Sequence, residues 1–274
     1  MIKKIALVDE HLIQMTCDST NLWELIEPNF QFVNSSAFGA INVTLDILGN
    51  YGSPFSDFHV AISDAAGGTL YRRTDYLLEI DRDFKKAVIR AYDKTALKHA
   101  LLNFYSSYLL HLNWGILIHS SCVIDGGQAH LFAGESGVGK STAARLSKPR
   151  QLLSDEATLI KITPAGITVF NSPFRSDIPA NNIEDSCPLS SIQLLHQSSE
   201  NKRIQIKKSS ALLQLYKLAF YWTNKPEDMP KILLLFKTMI DQVPVYDLYF
   251  QKNNSFWQLI SQPDYHQEAV EARA

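Results

Sequence analysis

The stretch "LFAGESGVGKSTAARL", Leu131 to Leu146, decides how the chain is read. Gly134, Glu135, Ser136, Gly137, Val138, Gly139, Lys140 and Ser141 fit the pattern G-x-x-x-x-G-K-[ST]. Such a loop turns its backbone N–H groups inward around phosphate oxygens, and glycines allow the dihedrals this requires. Gly134, Ser136, Gly137, Val138, Gly139, Lys140, Ser141 and Thr142 are therefore the expected phosphate cradle. Lys140 would neutralise the β and γ oxygens, and the Ser141 hydroxyl would ligate Mg²⁺. An apolar run, "HLFA", precedes the loop and a helix-compatible run, "STAARL", follows it, which is the context the pattern needs. A phosphate cradle hardly reads the base, so the loop by itself leaves ATP, GTP and pyrophosphate open.

Working outward, Asp155 and Glu156 lie about fifteen residues beyond Lys140, room for one short helix and a return strand. In a phosphate-loop fold the strand beside the loop carries acids to the metal. Asp155 can hold Mg²⁺ or accept a proton from an attacking hydroxyl, and Glu156 is a second metal candidate. The short gap is typical of kinases rather than motor ATPases. Upstream, His119 sits in "GILIHSSC" one hairpin before the loop, predicted from the Asp-Gly pair in "DGG", Asp125 to Gly127. Arg175, in "SPFRSD", suits a phosphate or acidic-acceptor contact and equally suits the surface; Asp177 is a weaker candidate.

The run from His119 to Glu156 resembles the catalytic domain of HPr kinase/phosphorylase, which is distantly related to ATP-dependent phosphoenolpyruvate carboxykinase. "IHSSCVIDGGQAHLFAGESGVGKST" and "LLSDEA" carry that resemblance in order, with Glu156 where a second Asp is usual. Looser likeness in "NSPFR", "PLSSIQLLHQ" and "VPVYDLYF" points to the small serine kinases associated with modified peptides, such as lasso-peptide kinases. The resemblance implies ATP and Mg²⁺ as cofactors, Lys140 and Ser141 on the triphosphate and metal, Asp155 as base, and His119 near the transferred phosphoryl group. It also implies a homo-oligomer. The basic, glycine-containing loop of the bifunctional HPr enzymes is missing, so neither the reverse phosphorylase reaction nor HPr as substrate is expected.

The remaining sequence sets the frame. Of 274 residues 46% are apolar, enough for a sizeable core, and 26 basic against 28 acidic residues leave no electrostatic footprint for nucleic acid or an anionic membrane. "IQIKK", ending at Lys207 and Lys208, is the one local basic patch and reads as a helix start. Cys17, Cys122 and Cys187 are far apart and odd in number, which disfavours a zinc site or a disulfide framework. With no signal-peptide-like or membrane-spanning apolar run, a soluble, cytoplasmic protein is expected.

"KIALV", "HLIQMTC", "QFVNSS", "AINVTLDIL" and "FHVAIS" read as strands, and "NLWELI" as a helix capped by Ser19 or Thr20. "TLYRRTDYLLEIDRDFKKAVIRAYD" reads as two or three strands. A long helix follows from Thr95, capped by Asp93 or Thr95. "QLLSDEATLI" reads as one strand, and "LYKLAFYW" has helical spacing. The expectation is an α/β protein: a β-rich α+β N-terminal domain over residues 1–110, suited to peptide recognition, and an HPr-kinase-like phosphate-loop domain over 111–274. Its expected activity is Mg²⁺-dependent phosphorylation of a serine hydroxyl on a peptide or small protein. A small-metabolite kinase and a non-catalytic nucleotide-sensing module are the alternatives.

Overall fold

The computed structural model describes residues 1–34, 39–65, 67–176, 185–223 and 225–261. It is a mixed α/β architecture of two large sheets and few helices.

The first sheet comes from the alternating runs of the first ninety residues or so. It contains β1 (Ile2–Val8), β2 (His11–Cys17), β3 (Gln31–Phe32), β4 (Val43–Leu48), β5 (Ala61–Ala65), β6 (Gly68–Arg72), β7 (Tyr76–Asp81) and β8 (Lys86–Ala91), in the order β3-β1-β2-β4-β8-β7-β6-β5. The pairs β2–β4 and β4–β8 are parallel, and the rest are antiparallel. Alternation puts Leu45, Ile47, Leu78, Ile80, Ala87 and Ile89 on the buried face, the period-two pattern of a half-buried strand. "QFVNSS" yields only the two-residue β3, and its Ser35 and Ser36 lie outside the described residues. "FHVAIS" begins its strand at Ala61 instead of Phe58.

Against that face pack α1 (Thr20–Ile26) and α2 (Lys94–His111). Ser19 caps α1 by accepting from Leu22 N, and Asp93 caps α2 by accepting from Ala96 N at 2.8 Å. Helix α2 is buried nearly all round, as a helix enclosed by neighbours must be. The core around it takes residues of the first sheet together with Leu117, Ala157, Leu159 and Phe174 from further along the chain. The β1–β2 turn reaches the same region: Glu10 pairs with Lys161 at 2.6 Å and accepts from Trp114 Nε1 at 3.1 Å.

The second sheet is organised by two long strands, β9 (Gly115–Asp125) and β14 (Ser186–Gln197). The other members are β10 (Gln128–Ala133), β11 (Gln151–Ser154), β12 (Ala157–Thr163), β13 (Gly166–Phe170), β15 (Lys202–Gln205), β16 (Ala219–Phe220) and β17 (Val245–Phe250). The hairpin at "DGG" forms as expected: Asp125 pairs with Gln128, and Gly126 and Gly127 take φ of 58° and 75°, the double positive φ of the favoured two-residue turn. Strand β10 also runs parallel to β14, and β14 parallel to β17. These three strands end together, beside the glycine-rich loop.

Strand β9 changes partners along its length. Gly115–His119 pairs with β12, Ser120–Asp125 pairs with β10 on one side, and Cys122–Ile124 pairs with β11 on the other. "QLLSDEATLI" is therefore not one strand. It follows the bend of β9 as β11 and β12, with Asp155 and Glu156 in the step between. The acid-bearing strand is likewise not beside the loop strand, because β9 separates β11 from β10. "LYKLAFYW" is also split: α4 (Lys208–Tyr216) ends early, and Ala219–Phe220 pairs with β9. Its aromatics Phe220 and Trp222 pack against the first core. The short helix α3 (Lys140–Leu146) follows the loop. Helix α5 (Asp228–Gln242) covers the second sheet, and α6 (Trp257–Ile260) is the last described helix. All three cysteines are buried and unbridged. Among the described residues, no helix is long and apolar enough to cross a membrane.

Candidate phosphate site

The loop leaves β10 at Gly134 and enters α3 at Lys140. Gly134, Gly137 and Gly139 take φ of 153°, 81° and 115°. At Gly139 space matters as well as dihedral, since a Cβ there would lie 2.8 Å from Phe250 Cζ. The loop is closed on itself by the lysine: Lys140 Nζ donates to the carbonyls of Gly134 and Glu135, both at 2.8 Å. Gln197, at the end of β14, donates from Nε2 to Gly137 O at 3.0 Å. Ser121 Oγ, on β9, donates to Lys140 O at 3.1 Å. Lys140 is buried, and burial lowers its pKa while Glu156 opposes the shift.

The middle of β9 gathers the other candidates. Ser120 pairs with Ala133, the last residue before the loop, and its N–H donates to Glu156 O at 3.1 Å. His119 pairs with Ala157, next to the acids. Three consecutive residues, His119 to Ser121, thus tie the loop to the acid step. The step lies two strand spacings from the loop strand, about 10 Å of backbone separation. Beneath it, Ser120 Oγ donates to Thr158 Oγ1 at 2.7 Å, and Thr158 Oγ1 meets Ser154 Oγ, which satisfies buried hydroxyls and fixes the bend.

The two acids diverge. Glu156 is half-buried and pairs with Lys98 of α2, and it is the charge felt by Lys140. Asp155 is buried, with Oδ1 accepting from Ser176 N at 3.0 Å, and it is the charge felt by Arg175. Arg175 is itself buried. Its Nη2 donates to Leu152 O, Leu153 O and Asn171 Oδ1 at 3.2, 3.1 and 2.7 Å, so it braces the backbone of β11. Asp177 lies outside the described residues.

His119 packs its ring against Phe220 and donates its backbone N–H to Leu218 O at 2.8 Å. Burial, then the positive charges of Lys140 and Lys98, bring its pKa down to about 4. It is a neutral imidazole near pH 7, able to orient a group by hydrogen bonding but not to add charge. Lys98 is the residue that sequence reading missed. It sits on a helix far from any motif, and only the packing of α2 delivers it to Glu156.

Among the described residues, no cluster of three or more His, Cys, Asp or Glu side chains is preformed for a metal. Mg²⁺ is commonly held by one or two carboxylates and by substrate phosphates rather than by an all-protein cage. Ser141, on the first turn of α3, and Glu156, paired with Lys98, are the expected metal residues.

Beside the loop, a cavity of about 320 Å³ is bounded by Gly134, Glu135, Val138, His196, Lys217 and Leu218, among others.

The chain has a slight likeness to a solved structure, the Hpr(Ser) kinase/phosphatase from Coxiella burnetii. It is 10% identical, with a TM-score of 0.28 over 52% of this chain and 90% of that one, too slight to carry an argument. No curated protein matches the sequence. A family model described as "SynChlorMet cassette protein ScmC" matches residues 90–263, well over half of the chain, and the chain belongs to that family.

Proposed function

We propose that this member of the ScmC family is an ATP-dependent, Mg²⁺-requiring kinase that phosphorylates a serine hydroxyl on a peptide or small protein. One observation carries the reading: His119–Ser121 of β9 joins the glycine-rich loop to the acid step by backbone pairing and by the Ser121–Lys140 bond. In this reading Gly134–Thr142 hold the phosphates. Lys140 exchanges its two loop carbonyls for phosphate oxygens. Glu156, with Ser141, holds the metal, which when bound neutralises developing charge on the transferred group. Asp155, turned towards Ser176, accepts the proton of a hydroxyl that approaches from the side of residues 172–176. Arg175 keeps β11 and its acid in register rather than meeting phosphate. Catalysis comes from positioning and charge neutralisation.

Residues 1–110 serve acceptor recognition, with β5 as the sheet edge open to an extended peptide. Hydrogen exchange at Ala61–Ala65 then slows when acceptor binds. In this reading the protein acts in the cytoplasm, without nucleic acid or membrane as partner, and forms a homo-oligomer.

The deciding experiment is phosphotransfer from labelled ATP to a panel of serine-containing peptides, free amino acids and sugars, read by mass spectrometry. Transfer to peptide serine that Asp155→Asn lowers by about three orders of magnitude, with ATP still bound, supports the assignment. Transfer only to small metabolites, or nucleotide binding with no transfer to any acceptor, rejects it.

A further inference from the structure

The transfer steps leave unused the cavity of about 320 Å³ beside the loop. It is bounded by the loop itself through Gly134, Glu135 and Val138, by Leu194 of β14, and by Lys217 and Leu218 at the end of α4. Its apolar lining is already in place. Leu194 is buried, Val138 and Leu218 are half-buried, and Val138 Cγ1 would lie 2.7 Å from a Cβ on Gly134, so the valine packs closely over the start of the loop. Glu135 and Lys217 are exposed, which puts the charges at the rim. An apolar interior with a few polar groups around it is the usual build of a ligand pocket.

Hydrogen bonds locate this cavity relative to the reaction. The carbonyls of Gly134 and Glu135, both lining residues, hold Lys140 Nζ at 2.8 Å. In a phosphate loop that nitrogen marks the β/γ end of the triphosphate, so the nucleoside, attached at the α-phosphate, is directed away from it. Leu218 O, another lining residue, accepts from His119 N at 2.8 Å, and the next N–H along β9, that of Ser120, donates to Glu156 O at 3.1 Å. Successive N–H groups of a strand point to opposite sides, so the cavity wall and the acid step flank β9, two strand spacings or about 10 Å apart.

We infer that the cavity is a pocket for the acceptor, taking one large apolar side chain of the peptide, about two to four residues from the serine to be phosphorylated. This rests on the kinase reading and names what its acceptor must carry. A peptide entering from the side of residues 172–176 places its serine at the acid step. At about 3.3 Å per residue, roughly three further residues carry it across β9 to the cavity. At about 30 Å³ per water-sized group, the cavity has room for roughly ten non-hydrogen atoms, the size of one leucine or phenylalanine residue and not of a folded surface.

The test uses the full chain and serine peptides in an alanine–glycine background, each with one leucine placed at a different distance from the serine on either side. On one side, leucine about two to four residues away should raise kcat/KM at least about tenfold over the leucine-free peptide, the scale of burying one such side chain. Leu218→Trp fills the cavity and should cut that preference below about twofold, while calorimetry shows affinity for a non-hydrolysable ATP analogue changed by less than about threefold. No preference for leucine at any position overturns the inference. So does a Leu218→Trp protein that keeps the preference and instead loses the ATP analogue, which would give the cavity to the nucleotide. The two readings fail separately. Wild-type transfer that is equally good with leucine-free peptides removes the pocket and leaves the kinase standing. If the wild type transfers nothing, fluorescence anisotropy with the same peptides decides: leucine-dependent binding lost in Leu218→Trp supports the pocket, and leucine-independent binding, or none, overturns it. Should Leu218→Trp fail to fold, Leu218→Phe takes its place in each assay.

Discussion

Replacing Gly139 by alanine tests the geometry of the loop in its simplest form. The residue has φ of 115° and ψ of 18°, and its new Cβ would lie 2.8 Å from Phe250 Cζ and 3.5 Å from Cε1. Phe250 is buried and its ring is set edge-to-face against Phe256 at 5.7 Å, so it has little room to withdraw. The backbone term alone is about 1–3 kcal/mol. Forcing an extra carbon against a packed ring adds about 1–3 kcal/mol. Together they amount to about 2–6 kcal/mol, a large share of the roughly 5–15 kcal/mol that holds a domain folded. Gly137→Ala is the control. Its φ is 81°, but nothing lies within 4 Å of the added carbon, so it carries only the backbone term. Urea unfolding of the nucleotide-free protein should therefore place Gly139→Ala below Gly137→Ala by about 1–3 kcal/mol. Phe250→Leu should close part of that gap. Equal midpoints for the two alanine variants would show that Phe250 does not confine the loop, and the geometric account of Gly139 would be wrong.

Other outcomes follow from the same structure. His119 should titrate near 4 by NMR, and a midpoint at the ordinary 6.5 would contradict the effect of its burial and of the lysine charges. Because the folded value is below the unfolded one, its contribution to stability is fully present above pH 6.5 and is lost as pH falls from 6.5 towards 4. Asp93→Ala should cost about 1 kcal/mol by removing the bond to Ala96 N at the start of α2, measurable as a shift in the urea midpoint. Glu156→Gln should weaken Mn²⁺ binding while Asp155→Asn should not, since the proposed roles give the metal to Glu156 and the proton to Asp155; equal losses would reject that division of labour.

The sequence determined what local rules can carry. Eight residues around Lys140 specify the glycine-rich loop because its dihedrals and its lysine are properties of adjacent positions. The Asp-Gly hairpin, the caps at Ser19 and Asp93, and the alternating strands of the first sheet were legible for the same reason. The break between Ser154 and Ala157 was not, because it follows from β9, whose bend is a property of its partners and not of "SDEA". The direction of each acid depends on that bend. So does the place of Arg175, which the sequence left open between a phosphate or acceptor contact and the surface, and which is buried against two carbonyls of β11. Lys98 lies 58 residues from Glu156 in the chain, and no pattern at that distance marks it. Only the burial of α2 between the sheets decided that the two would meet: side chains from remote segments come together when their elements share a core, and which elements share it is settled by packing.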